Sequence, residues 1–153
     1  MSWKHCVLGL IILAFLAAFP WGPLFAWSPV HPGYRQVRFS RADVLYPVSL
    51  ALDPAYREVD QYVAVAENFH ELQCSKKIKV VVCRNWNDCL RFAAPFLMGQ
   101  RPLAVTVPTG TVIFVTPRVE GWTDIGGLLR HELSHAGVTP VGETERKCHS
   151  SAR

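Results

Sequence analysis

Near its end the chain reads Leu128-Leu129-Arg130-His131-Glu132-Leu133-Ser134-His135-Ala136. Positions i and i+4 share one face of an α-helix, so His131 and His135 can direct their imidazole nitrogens at one metal ion, with Glu132 beside them. The opposite side carries an apolar stripe at helical spacing, formed by Ile125, Leu129, Leu133 and Ala136. The stretch therefore predicts an amphipathic helix that buries one face and presents a metal site on the other.

The residue types of this stretch fit a catalytic zinc site. Neutral imidazole is a favoured ligand of Zn²⁺, and a catalytic zinc ion holds three protein ligands and a water whose pKa falls from about 16 to about 7. We therefore predict that His131 and His135 are metal ligands and that Zn²⁺ is the cofactor. Glu132 is predicted to be the catalytic base, which takes a proton from that water and later passes it to a leaving amine.

At residues 128–136 the chain resembles the zincin metallopeptidases, in the form of their motif with uncharged flanks. It is most similar to the gluzincin, or peptidase MA-like, branch, because Val138 and Val141 stand where the metzincins have a glycine and a third histidine. The resemblance spans roughly residues 53–136 and implies an α+β fold: a zincin-like N-terminal subdomain with a small mixed sheet and the His-Glu-x-x-His helix. It also implies a peptide or protein substrate, which would pair with residues 112–116 at the sheet edge; the alternative for these residues is a plain core strand.

A catalytic zinc site needs a third protein ligand. In gluzincins this ligand is a glutamate on a helix well downstream, whereas here eighteen residues follow His135, so we expect a truncated or altered C-terminal half. Glu143, Glu145 and His149 are the local candidates. Cys89 is a fourth, because it precedes the motif in the order that peptide deformylases use, a cysteine ligand followed by His-Glu-x-x-His.

Two functions follow from these patterns. The first is a zinc-dependent metallopeptidase-like domain that hydrolyses peptide bonds with a zinc-bound water activated by Glu132. The alternative is a catalytically incomplete or degenerate zincin-like membrane protein without protease activity, because the downstream part of the gluzincin pattern is missing. Neither the identity of the substrate nor the oligomeric state follows from the sequence.

The composition describes one apolar, weakly charged domain. Of the 153 residues, 50% are hydrophobic and 18% are charged, which is enough for a single core and too little for two. The net charge of +4 comes from scattered arginines and lysines, of which the densest group is Lys76, Lys77 and Lys79. No nucleic-acid-binding motif accompanies them, so we expect a solvated basic face and no nucleic-acid partner.

The N-terminus is predicted to be a targeting element. The fourteen residues 6–19 are all apolar or glycine, which matches the core of a signal peptide. Extended to Trp27, the stretch reaches 22 residues, enough to cross a bilayer. Cleavage after Ala26 would place Leu24 at a position that prefers a small residue, which favours an uncleaved membrane anchor. Lys4 favours a domain on the extracytoplasmic side, and a cleaved segment would give a secreted protein.

These features divide the chain into four regions. They are a signal anchor or signal peptide (1–27), a linker (28–33), a zincin-like catalytic subdomain (34–137) and a polar tail expected to be unstructured (138–153). The exported part contains Cys74, Cys83, Cys89 and Cys148, and a disulfide can persist there. Pairing of Cys83 with either Cys89 or Cys74, and free buried thiols, are the open alternatives.

The rest of the pattern predicts alternating strands and helices. Strands are predicted at residues 34–39, 78–83, 103–107 and 112–116. Asp53 followed by Pro54 predicts the start of a helix whose apolar face reaches Leu72.

Two further helices are predicted downstream. One begins at Asn85 or Asn87 and ends before Pro95. The metal helix is capped by Thr123 or Asp124, and the glycine pair that follows is expected to permit close packing.

Overall fold

The structure is a computed structural model that describes residues 3–70, 74, 76–97, 102–116 and 124–138. The described strands are β1 (Tyr34–Arg38), β2 (Ala42–Pro47), β3 (Ile78–Val82), β4 (Ala104–Thr106) and β5 (Val112–Val115). The described α-helices are α1 (Trp3–Trp21), α2 (Val59–His70), α3 (Trp86–Leu97) and α4 (Ile125–Val138). Two short 3-10 helices, Phe25–Trp27 and Pro54–Glu58, precede β1 and α2. The expectation of mixed α and β structure, preceded by an apolar helix, is confirmed.

The five strands form one mixed sheet in the order β1-β2-β3-β5-β4. β2, β3 and β5 run parallel, whereas β1 and β4 pair antiparallel at the two edges. The expectation that residues 112–116 form an edge is wrong, because β5 lies between β3 and β4 and all four of its residues are buried. A continuous apolar run suits a strand that is covered on both faces and flanked on both sides. The edge on this side of the sheet is β4.

Each face of the sheet is covered by its own hydrophobic core. On the first face α2 and α4 pack against the sheet, and we call this the first core. On the second face α3 and the 3-10 helix Phe25–Trp27 pack against the sheet, and we call this the second core. The rows of side chains that the strand register places together are Val44-Val80-Ile113 on the first face and Leu45-Val81-Phe114 on the second. The sheet is therefore the middle layer of three, and α4 is separated from the N-terminal segment by the whole sheet.

The helical region that contains α2 begins as predicted. The Asp53 carboxylate accepts a hydrogen bond from the backbone N–H of Ala55 at 3.0 Å, and Pro54 is the first helical residue. The first turn is 3-10 and continues into α2 at Val59. Leu72, predicted to complete the apolar face, lies outside the described residues.

Helix α2 also holds the turn between β1 and β2. The Asp60 carboxylate accepts hydrogen bonds from the backbone N–H groups of Ser40 and Arg41, each at 2.9 Å. Burial by itself would raise the pKa of Asp60, but these hydrogen bonds and that of the Ser40 hydroxyl outweigh it and lower the pKa. The carboxylate thus ties the β1–β2 hairpin to the helix layer.

Helix α3 begins at the predicted cap but runs further than predicted. The Asn85 side-chain oxygen accepts a hydrogen bond from the backbone N–H of Asp88 at 3.0 Å, which makes Asn85 the cap. The prediction that Pro95 ends the helix is wrong, because the helix continues to Leu97, which is 4% exposed. Pro95 lies in the last turn, where its missing N–H costs one intrahelical bond and burial of Leu97 offsets that loss.

A disulfide joins the end of β3 to α3. It links Cys83 with Cys89, which selects one of the pairings that the sequence left open, and both residues are buried. Cys74 is a partly buried free thiol, and Cys148 lies outside the described residues. Both cysteines belong to the second core, and the bridge closes a short loop there.

The apolar N-terminus, expected as one stretch to Trp27, divides into two parts. Helix α1 ends at Trp21, and its 19 residues are long and apolar enough to span a membrane or to act as a signal sequence. Phe25 and Ala26 instead pack in the second core and are 1% and 0% exposed. The folded part of the chain therefore begins before the linker expected at residue 28.

Gly126 allows α4 to approach α2 closely. A Cβ atom on Gly126 would lie 2.8 Å from the hydroxyl oxygen of Tyr62. Tyr62 is held in place, because it is buried and its hydroxyl donates a hydrogen bond to Glu58 at 2.8 Å. The close packing expected of the glycine pair is confirmed at this position.

Gly126→Ala is therefore expected to lower stability, although alanine is the better helix former by about 1 kcal/mol. The clash with Tyr62 should cost about 1–3 kcal/mol, which a urea titration of the full chain in detergent would measure. In a Tyr62→Phe background the hydroxyl is gone, so the same substitution should cost much less. A Gly126→Ala variant that is more stable than the parent chain would contradict the close contact.

Candidate metal centre

The rotational setting of α4 is fixed by its cap and its apolar stripe. Asp124 accepts a hydrogen bond from the backbone N–H of Gly127 at 2.6 Å, so Asp124 caps the helix, and Thr123 lies outside the described residues. Leu129 and Leu133 are 0% and 1% exposed in the first core. A residue on a helix advances by about 100°, so the two histidines of the motif must lie on the side away from this core.

The structure brings His131 and His135 together on the exposed face of α4. Their Nε2 atoms are 3.2 Å apart, and the two rings meet edge to face with centroids 4.7 Å apart. Both residues are exposed. The Ser134 hydroxyl donates to the backbone oxygen of His131 at 2.6 Å, one turn back along the same helix.

The separation of the two imidazole nitrogens fits a shared metal ion. A tetrahedral zinc ion with bonds of about 2.0 Å to nitrogen holds two such nitrogens about 3.3 Å apart. The same separation also fits a hydrogen bond between a protonated and an unprotonated ring nitrogen. A proton and a metal ion are therefore alternative occupants of the space between the rings.

Glu132 is held at the border between the apolar stripe and the histidine face. It is 8% exposed, and its Oε2 accepts a hydrogen bond from the Thr106 hydroxyl at 2.6 Å. The same hydroxyl lies 3.2 Å from the backbone oxygen of Glu132. Thr106 belongs to the edge strand β4, so the carboxylate is fastened between α4 and the edge of the sheet.

Thr106 was not among the residues singled out from the sequence. Strand periodicity could have placed it on the same face as Ala104, which packs in the first core. The sequence does not predict that β4 pairs with β5, nor how close β4 lies to α4. The contact between Thr106 and Glu132 is long-range and follows from neither local pattern.

The other candidate ligands are not part of this arrangement. Glu143, Glu145 and His149 lie outside the described residues. Cys89 is not available as a ligand, because it is buried and bonded to Cys83; the prediction that it could be the third ligand is wrong. Among the residues that the structure describes, no group of three or more His, Cys, Asp or Glu side chains could hold a metal ion.

Comparison with known proteins adds no relative. No family model matches the chain, no curated protein matches it, and no solved structure matches it.

The hydrogen bond from Thr106 should contribute measurably to stability. Thr106→Val removes the hydroxyl that satisfies the Glu132 carboxylate, which should cost about 1–3 kcal/mol in a urea titration, whereas Thr106→Ser should retain most of the stability. In a Glu132→Ala background, Thr106→Val should lower the free energy of unfolding by less. Only the contact of the Thr106 hydroxyl with the backbone oxygen of residue 132 would then be lost. Equal costs in the two backgrounds would show that the side chains do not interact.

Proposed function

We propose that this chain is a zinc-dependent metallopeptidase-like domain of the zincin type. The observation that carries the proposal is the 3.2 Å separation of the Nε2 atoms of His131 and His135 on an exposed helix face. Glu132, next in sequence to the first histidine, is held in place from the neighbouring strand. Paired imidazoles beside an ordered carboxylate are the donor set that hydrolytic zinc sites use.

In this proposal each residue has a separate role. His131 and His135 would hold the metal through their Nε2 atoms. When bound, zinc supplies a Lewis acid that makes water a nucleophile near neutral pH. Glu132 would accept the proton of the attacking water and donate it to the leaving amine. Because Thr106 engages Oε2, we assign the proton transfer to Oε1.

The strand that would bind an extended substrate is β4. It is one of the two edge strands in the described part of the chain, and Thr106 connects it to Glu132. An extended peptide that adds to a sheet edge gains main-chain hydrogen bonds. A substrate paired with β4 would therefore place its backbone near the carboxylate and the two histidines.

We further propose that the domain lies on the extracytoplasmic side of a membrane. The apolar helix α1 precedes it, and the Cys83–Cys89 disulfide belongs to an oxidising compartment. Lys4 near the start of α1 favours the same orientation. Glu143, Glu145 and His149 stay the predicted sources of the third ligand.

The second candidate is a degenerate zincin-like membrane protein that cleaves nothing. One observation favours it: within the described ranges the two histidines have no third metal-binding side chain grouped with them. Two imidazoles without a third ligand would hold zinc weakly. Metal content and activity, measured separately, distinguish the two candidates.

The metal assignment predicts that the full chain, purified in detergent with zinc and then dialysed, keeps roughly one zinc ion per molecule. His131→Ala with His135→Ala should reduce this to less than about a tenth, as measured by elemental analysis. His70→Ala, on α2, is the matched control and should keep the parent's zinc content. Equal zinc content in the parent and the double variant would refute the site.

The catalytic assignment predicts zinc-dependent cleavage of a denatured protein substrate by the parent chain. Glu132→Gln should reduce the rate by about 10² to 10⁴, because the amide cannot accept the proton, while zinc content stays the same. A parent chain that holds zinc yet cleaves no faster than Glu132→Gln would favour the degenerate protein.

A further inference from the structure

The segment between α1 and β1, residues 22–33, crosses the second face of the sheet, and we call it the strap. Its largest buried side chain is that of Phe25, which is 1% exposed. The Phe25 ring stacks on Phe92 of α3 with centroids 4.0 Å apart and meets the edge of Tyr34 at 4.8 Å. An aromatic side chain packed in this way belongs to the core of the domain, because its removal would leave a cavity between the sheet and α3.

Further contacts hold the part of the strap that follows Phe25. Lys79 of β3 donates a hydrogen bond to the backbone oxygen of Ala26. Ser28 is 4% exposed and folds its hydroxyl onto the backbone of Val30. The His31 ring meets Phe25 with centroids 5.0 Å apart. These contacts fix the backbone of the strap as well as its side chains.

The strap also contains the sequence that export machinery would have to cut. Signal-peptide cleavage needs a small residue directly before the cut bond and a second small residue two positions earlier. Between Trp3 and Gly33 the pattern of two such residues drawn from Ala, Gly, Ser and Cys occurs once, at Ala26 and Ser28. Both are buried in the fold. A cut after either residue would remove Phe25 from the domain.

We infer that the strap is a structural part of the domain and that α1 stays attached as its membrane anchor. Three residues, 22–24, lie between Trp21, the end of α1, and Phe25, so the core begins four residue steps, or about 14 Å at most, from that end. The partner is the lipid bilayer that would contain α1, and the domain would lie directly on its surface with no free tether. This inference goes beyond the proposed peptidase function and does not depend on it.

The first test is the N-terminus of the mature chain. The full chain with a C-terminal tag would be expressed in an exporting bacterial host, and its intact mass and its resistance to alkaline carbonate extraction would be measured. We expect a chain that retains α1 and stays in the membrane fraction. A mature chain that has lost α1 at any position, or that carbonate releases, overturns the inference.

The second test is the contribution of the strap to the fold. In the detergent-solubilised full chain, Phe25→Ala should lower the melting temperature by about 10 °C or more. Phe25→Leu keeps an apolar side chain and should give a smaller drop in melting temperature. This variant replaces Phe25→Ala in the test if the alanine variant does not accumulate. Trp27→Ala is the matched control, because Trp27 is 39% exposed and should matter little. A drop for Phe25→Leu no larger than that for Trp27→Ala overturns the inference.

Discussion

Burial of Leu129 and Leu133 against the sheet is the constraint on which the candidate site depends. Because each residue turns a helix by about 100°, placing these leucines in the core directs His131 and His135 to the opposite side. Glu132 falls about 60° from Leu129, at the border of the stripe, where Thr106 can reach it. One apolar contact thus determines the surroundings of all three residues of the motif. Burial of each leucine is worth about 1.5–3 kcal/mol, so the orientation is not easily lost.

The distance between α4 and its neighbours is set by small side chains and by caps. Gly126 lets Tyr62 lie against the first turn, and Gly127 leaves room for the Asp124 carboxylate that caps it. Both glycines lower the intrinsic helix propensity of α4. In return they let the Tyr62 and Asp124 side chains approach the backbone of α4 more closely than alanine would allow. The start of α4 is therefore adapted to tertiary packing at the expense of local helix stability.

The sequence predicted elements with a strong local signal and failed where long-range pairing decides. Asp53 and Asn85 were recognisable caps, and all four predicted strands are present, as β1, β3, β4 and β5. β2 was missed because Ala42, Val44 and Leu45 are buried on both faces, which removes the alternation that marks a half-exposed strand. The edge position of β4 and the contact of Thr106 with Glu132 depend on strand order, which no local pattern encodes. The pairing of His131 with His135 was predictable because helical periodicity alone brings them together.

The placement of the histidines limits where a third metal ligand could come from. Both Nε2 atoms lie on an exposed face of α4, and the opposite face of that helix is filled by the first core. A third ligand must therefore approach from the solvent side of α4, and it cannot be a residue of the sheet beneath the helix. The strap and α3 lie beyond the sheet, so the element that anchors the chain and the element that would carry the chemistry are on separate layers. A ligand from the residues after α4, or from another molecule, can satisfy this geometry without disturbing either core.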